Sequence, residues 1–293
     1  MEAHPHDVVY KRNLMIGYGH VGDTLGGPVF YNLGDSEGAR SYYRKAVEIG
    51  EEIFNADPRD STAKFDLAAG LGRLGMVDVA ASGMAKSLAA LERSVRMLET
   101  LVAADPNKLS VKIQLARAQE YTGHRLRALR CYTEAIASYR RSVALADSML
   151  EADPTSHVAL AEAVASGRGM ATAMAMAGDR AGSLRQARAT IERAQAGVNA
   201  GPDKRSRQRH VAESTTELGS VYEILAKQSS ASRTHQDWEA ARSALQQAIF
   251  RLDSVMADGK LTSIDTTDQQ RAKNLLAEAE EHLSASQRNR QRR

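Results

Sequence analysis

Four prolines stand 48 residues apart, Pro58, Pro106, Pro154 and Pro202, and an alanine lies two residues before each, at Ala56, Ala104, Ala152 and Ala200. Three of these sites read Ala-Asp-Pro and the fourth Ala-Gly-Pro. Self-similarity at a period of 20 to 50 residues is the mark of a repeat architecture, and it restricts the fold more than any composition can. Other columns keep the same register. Small residues recur at Gly75, Gly123, Ala171 and Gly219, at Ala39, Ser87, Ala135 and Ser183, and at Ala46, Ser94, Ser142 and Thr190. A β-branched column follows at Val47, Val95, Val143 and Ile191. Small residues let helices approach, and a branched apolar residue fills the space between them.

Composition says which element repeats. Hydrophobic residues make up 43% of the chain and aromatics only 5%, in a mixture rich in Ala, Leu, Arg, Glu, Ser and Gln. Such a mixture favours helix over strand. In the second unit Leu88, Leu91, Val95, Leu98 and Val102 follow helical spacing. The Asp-Pro step is expected to open a first helix, A, over about 60–79, since proline is tolerated in a helix's first turn. A break at Ser82 and Gly83 then leads to a second helix, B, over about 84–103. The expected architecture is all-α: a right-handed superhelical solenoid of five hairpins over about 8–55, 58–103, 106–151, 154–199 and 202–256. A capping helix over 266–286 and a basic disordered tail over 287–293 complete it. Residues 1–286 form one domain in this reading.

Two hairpins depart from the period. Arg12 to Gly22 matches Phe65 to Gly75 at a shift of 53, which places five extra residues in the loop containing Gly26, Gly27 and Pro28. The helix beginning near Trp238 matches the first unit at a shift of 202, which places about ten more around Ser229 to Gln236. Both insertions are expected between helices A and B, on one face of the repeat.

The segment Leu33-Gly-Asp-Ser-Glu-Gly-Ala-Arg-Ser-Tyr-Tyr-Arg-Lys-Ala-Val-Glu-Ile49 resembles the second-helix signature of tetratricopeptide repeats, and Asp237 to Ile249 is similar. A 48-residue unit is a lengthened form of the usual 34. The string Arg12 to Leu25, with Asn32-Leu-Gly-Asp35 and Ala56-Asp-Pro58, resembles the long repeats that follow the catalytic domain of some bacterial serine/threonine protein kinases. The resemblance implies a sensing or scaffolding region and association with a signalling kinase. It brings no kinase activity, because the His-Arg-Asp, Asp-Phe-Gly and Val-Ala-Ile-Lys motifs are missing.

The chemical motifs reduce to structure. Gly17-x-Gly19-x-x-Gly22 matches a nucleotide-binding fingerprint, but no strand precedes it and Gly70-x-Gly72-x-x-Gly75 repeats it one unit later. A close helix crossing explains the recurrence, and no cofactor is expected. Eight histidines, among them His20, His124, His157, His210, His235 and His282, are read as forming no i, i+4 pair with a carboxylate that would suggest a metal site. Cys131, the single cysteine, excludes an intrachain disulfide and has no spacing to a base, and Met149, Met170, Met174 and Met176 fit a core. No catalytic residue is expected.

A formal charge of +3, on 39 basic and 36 acidic side chains, points to no nucleic acid. No stretch reaches the roughly 18 apolar residues of a membrane span. Met1 to Tyr10 has no apolar run of a secretory signal, so a cytoplasmic location is expected. The resemblance to tetratricopeptide repeats implies that helix A lines a concave groove for a protein or peptide partner. Counting three and six residues before and one and four after the small core position gives Arg117, Glu120, His124 and Arg127 in the third unit. In the fourth the offsets include Arg168 and Thr172, and in the fifth they give Glu213, Thr216, Ser220 and Glu223. The groove is expected to be basic in its middle and acidic toward its carboxy-terminal end.

Overall fold

The computed structural model describes residues 7–27, 32–77, 83–201, 203–257 and 263–291. Every regular element among them is an α-helix. The chain divides into two compact units, Met1–Arg130 and Cys131–Arg293. The first holds α1 (Val8–Gly26), α2 (Ser36–Ala56), α3 (Ser61–Val77), α4 (Met84–Ala104) and α5 (Leu109–Ala128). The second holds α6 (Tyr132–Ala152), α7 (His157–Met176), α8 (Arg180–Val198), α9 (Lys204–Gln228), α10 (Ala231–Ala257) and α11 (Ser263–Gln291). Within each unit every helix packs on the next in sequence. The first helices of successive hairpins also touch, α1 with α3, α3 with α5, α7 with α9 and α9 with α11.

The Ala-Asp-Pro step ends helix B rather than opening helix A. Asp57, Asp105 and Asp153 are the C-caps of α2, α4 and α6. Their carboxylates accept from the backbone N–H of Arg59, Asn107 and Thr155 at 3.0, 3.1 and 2.9 Å. Their carbonyls accept from Asp60, Lys108 and Ser156 three residues on, at 3.1, 3.3 and 3.1 Å. The proline therefore occupies the second place of a β-turn, where its fixed φ fits and where it blocks further helix. The next helix begins three residues later. Pro202, the fourth of the series, lies outside the described residues, as do Pro28 and Ser82.

The small columns are the holes that receive the large ones. A Cβ on Gly22 would meet the Tyr43 ring at 2.6 Å, one on Gly75 would meet Leu91 Cγ at 2.5 Å, and one on Gly219 would meet Leu245 Cγ at 2.5 Å. In the fourth hairpin the large residue is replaced by Ala187, and its opposite number is Ala171 instead of glycine. Hole and knob thus change size together, which keeps the packing dense. The column Ala39, Ser87, Ala135 and Ser183 and the column Ala46, Ser94, Ser142 and Thr190 are all buried. Ser87 Oγ donates to Gly75 O at 2.5 Å and Ser94 Oγ to Ala68 O at 2.7 Å, so the hydroxyls are satisfied by the facing helix. In α4 the innermost stripe is Ser87, Leu91, Ser94, Leu98 and Leu101, flanked by half-buried Leu88, Val95 and Val102.

Arginines close helix ends. Arg125 donates from Nε to Gly75 O at 3.1 Å and to Ser87 Oγ at 2.8 Å, and from Nη2 to Met76 O at the carboxy end of α3. Arg205 Nε reaches Val255 O, near the end of α10, at 3.2 Å. Fully buried Arg207 donates to Gly197 O at 2.8 Å and Thr155 O at 2.5 Å. Cations complement the negative end of the helix dipole and the carbonyls left there without helical partners.

The fifth hairpin departs from the expected loop. Of the extra residues around Ser229 to Gln236, those from Ala231 on are helical, so that α10 starts two turns before Trp238. Asp35 and Asp179, which share the register of Asp237, are N-caps whose carboxylates accept from Gly38 N and Gly182 N at 2.8 Å. With α10 extended backward, Asp237 lies inside the helix and its carboxylate turns to Arg180 and Ser229 instead. The final helix is also longer than expected, Ser263–Gln291, so the segment placed in a tail is helical as far as Gln291.

Candidate functional site

On the first unit a cleft runs along the A-helices. Its floor is made by Gly19, Ala69, Gly70 and Gly72, and its walls by Met15, Ile16, Phe65, Gln114, Arg117 and Tyr121. One half has a volume of about 200 Å³. Arg117 is the one expected groove residue among its walls. Applying the same offsets to Gly22 and Gly75 yields Ile16, Gly19 and Asp23, and Ala69, Gly72 and Met76, which line it, together with Gly26, which does not, and Val79, which lies outside the described residues. These side chains were legible by the rule used for the later units. Gln114 and Tyr121 fall outside that rule.

The glycine motif divides accordingly. Gly22 and Gly75 are packing positions, as expected, but a Cβ on Gly19 would meet nothing within 4 Å. On Gly72 it would reach only Ser94 Oγ at 3.6 Å. The close-crossing account therefore fails for Gly17, Gly19 and Gly72, and at Gly19 and Gly72 the missing side chain keeps the cleft deep.

Three groups fix the charge at the cleft's edge. Tyr43 Oη donates to Asp23 Oδ1 at 2.6 Å, and Arg73 Nε donates to the same oxygen at 3.2 Å. Burial, and then the Asp23 carboxylate, push the Tyr43 hydroxyl far above its ordinary range. Tyr43 therefore stays a neutral donor and Arg73 is held in the cleft wall. Further along α5, Glu120 is 8% exposed and lies 3.3 Å from His124 Nε2, one turn away. Arg127, at the end of the same helix, is half-buried.

In the second unit the expected positions lie between helices instead of on an open face. Arg168 bonds Glu213, which also lies 3.3 Å from Arg209 Nε and 3.5 Å from His210 Nδ1. Thr172 donates to Glu217, whose other oxygen accepts from Arg271 of α11 at 2.8 Å. Thr216 donates to Ala212 O at 3.1 Å, Ser220 is half-buried, and Glu223 is 3% exposed. The cause is α11, which packs over α9 and α10. Ala272 joins Ala212 and Leu252, while Ala279 and Leu283 join Ala226, Trp238 and Ala241. The Trp238 ring stacks on His282 at 4.2 Å.

Two carboxyls, Asp268 of α11 and Glu223 beside it, are shifted upward. Burial, then the neighbouring Glu213 charge, raise Asp268 to about 7. Burial and Glu278 raise Glu223 to about 7. Glu213 and Glu217 go the other way: burial opposes ionisation, but Arg168 and His210 hold Glu213 ionised, and Arg271 and Thr172 hold Glu217. A raised carboxyl means that the folded unit keeps a proton the unfolded chain releases above its ordinary pKa of about 4. Stability from Asp268 and Glu223 is therefore lost as pH climbs from about 4.5 to about 7. Allowing for solvent screening, we expect these two carboxyls to favour pH 5.5 over pH 8 by about 2 kcal/mol, a trend that His157, whose pKa burial lowers, partly opposes. Urea unfolding followed by Trp238, the sole tryptophan, measures this. Glu223→Gln should remove about half of the difference.

Histidine–carboxylate pairs at i, i+4 do occur, at His124 with Glu120 and His235 with Glu239, contrary to the sequence reading. No group of three His, Cys, Asp or Glu side chains is arranged to hold a metal among the described residues. Cys131 is half-buried at the N-cap of α6, and Met149 and Met170 are buried core. No described helix is long and apolar enough to cross a membrane.

No family model matches the chain, and no curated protein matches it. Among solved structures it is similar to a variant of a putative kinesin light chain of Podosopora anserina with nearly identical TPR-like repeats. That pair is 16% identical, covers 88% of this chain and 98% of the other, and has a TM-score of 0.48. A second structure of that kinesin light chain is 16% identical over 84% and 98%, with a TM-score of 0.44. A TPR protein of Thermus thermophilus is 15% identical over 79% and 99%, with a TM-score of 0.32.

Proposed function

We propose that the chain is a non-catalytic interaction scaffold that takes a peptide or helix of a protein partner in the cleft along α1, α3 and α5. The observation that carries this reading is Gly19, a helical glycine with nothing within 4 Å of where its Cβ would be, on the floor of that cleft. A glycine inside a helix costs roughly 1 kcal/mol relative to alanine, and here no neighbouring helix accounts for it. Arg117, Arg73 and Gln114 supply polar contacts for a partner backbone or acidic side chain, and Phe65 and Ile16 supply apolar ones.

Gly19→Leu separates the roles. It should leave the fold intact, raise helix stability by up to about 1 kcal/mol, and abolish partner capture by filling the cleft. Arg117→Glu should weaken capture by about tenfold or more. Retention of every captured partner by both variants would sink the proposal. A second reading, that the chain is the regulatory region of a bacterial serine/threonine kinase system, rests on Arg12 to Leu25 and Asn32 to Asp35. Recovery of such a kinase among cleft-dependent partners would favour it.

A further inference from the structure

The fourth and fifth hairpins fill the same packing position differently, and a cavity is left in the fifth. On α7, buried Leu160 fills the place that a Cβ on Gly197 of α8 would take. Leu150 of α6 packs on the same cluster. Arg193 of α8 closes this junction by donating from Nη1 and Nη2 to the Asp147 carboxylate of α6, with Nη2 to Oδ2 at 3.3 Å. One unit on, the shift is 48 residues from α6 to α8 and from α7 to α9, and 58 from α8 to α10 because of the ten inserted residues. At those shifts Leu160 becomes Gln208, Gly197 becomes Val255, Leu150 becomes Val198 and Asp147 becomes Gln195. Of these positions only Arg193 keeps its identity, as Arg251.

The leucine that fills the fourth junction is therefore missing from the fifth, and so is the acid that neutralises the arginine. What remains is a cavity of about 200 Å³ between α8, α9 and α10. Its apolar wall is buried Val198, Val211 and Val255, with Phe250 beside them at 73% exposure. Its polar groups are Arg251, Gln195 and Gln208, all exposed. Arg251 pairs with no carboxylate among the described residues. Arg205 Nε donates to Val255 O at 3.2 Å, which sets a second cation at that edge.

An apolar cavity of about 150 Å³ admits a benzene ring, whereas drug-sized ligands occupy about 300 Å³ or more. The space here thus holds one ring or a short branched chain. A guanidinium presents a fork of N–H donors that matches a carboxylate. We infer that the cavity binds a small monocarboxylate with a ring-sized apolar body. The body lies among Val198, Val211, Val255 and Phe250, and the carboxylate lies on Arg251, where one hairpin earlier the chain supplies its own acid, Asp147. The site belongs to the second unit and shares no residue with the cleft of the first.

3-Phenylpropionate is the probe, titrated into the full chain and followed by the methyl resonances of labelled valines. It should bind saturably with a Kd between about 0.1 mM and a few mM. 3-Phenylpropan-1-ol, which has the same ring without the charge, should bind about fivefold more weakly or worse. Arg251→Gln should weaken the acid about fivefold or more and leave the alcohol unchanged. Gln195→Asp should act in the same way, by pairing with Arg251 as Asp147 pairs with Arg193. Gln208→Leu should abolish binding of both compounds by refilling the cavity as Leu160 does, without lowering the urea midpoint. Absence of saturable binding, equal binding of acid and alcohol, or binding indifferent to Arg251→Gln and Gln208→Leu overturns the inference. So does a protein partner that Gln208→Leu releases while 3-phenylpropionate fails to bind, since that gives the cavity to a protein side chain.

Discussion

Leu91→Ala will cost the first unit about 2–5 kcal/mol, and adding Gly75→Ala to it will restore stability instead of lowering it further. Leu91 is fully buried, and its Cγ lies 2.5 Å from the Cβ position of Gly75. In the wild-type background Gly75→Ala therefore overpacks and costs about 1–3 kcal/mol, partly offset by the better helix propensity of alanine. With Leu91 shortened, the same methyl group enters vacated space. The fourth hairpin already contains the product, Ala171 beside Ala187. Urea unfolding of the four proteins should give a coupling of at least about 1 kcal/mol in favour of the double variant. Simple additivity would show that the columns vary independently.

Arg180→Met will destabilise the second unit by about 3–5 kcal/mol, because it leaves a buried carboxylate without its cation. Asp237 is 2% exposed and accepts from Arg180 Nη1 at 2.8 Å and from Ser229 Oγ at 2.7 Å, with Arg180 Nη2 on its other oxygen. Burial pushes its pKa up, but the bonds from Arg180 and Ser229 outweigh burial and hold it below the ordinary value. A depressed carboxylate stabilises above its unfolded pKa of about 4, and that stability is lost as pH falls through the folded value. In Arg180→Met only the bond from Ser229 and the charge of Arg233 still oppose burial, so the pKa rises and the loss of stability on acidification sets in at a higher pH than in the wild type. The pair Arg180→Met with Asp237→Asn should recover most of the loss. If Arg180→Met unfolds at the wild-type urea midpoint between pH 5 and 8, the ion pair is not what holds the start of α10.

The cleft and the second unit show how far a periodic sequence can be read. The offsets from Gly123 were applied alike to Arg117 and to Glu223, yet Arg117 lines an open cleft and Glu223 is buried against α11. Sequence period assigns a side chain to a helix face. It does not say whether the neighbouring helix leaves that face open. Likewise Gly19 and Gly22 belong to one motif, but only Gly22 meets another helix.

The 48-residue period by itself determined the helical class, the hairpin pairs and the columns of holes and knobs, because those follow from local spacing and side-chain size. It misread the Asp-Pro step, since a proline can close one helix as readily as it opens the next and only the backbone hydrogen bonds of Asp57, Asp105 and Asp153 distinguish the two. Tertiary structure alone decided that the insertion before Trp238 is helix from Ala231 on, that Asp237 trades a cap for Arg180, and that Gly19 faces an open cleft. Each depends on which surface lies opposite, and that is fixed by packing between helices distant in sequence, where no single repeat carries the information.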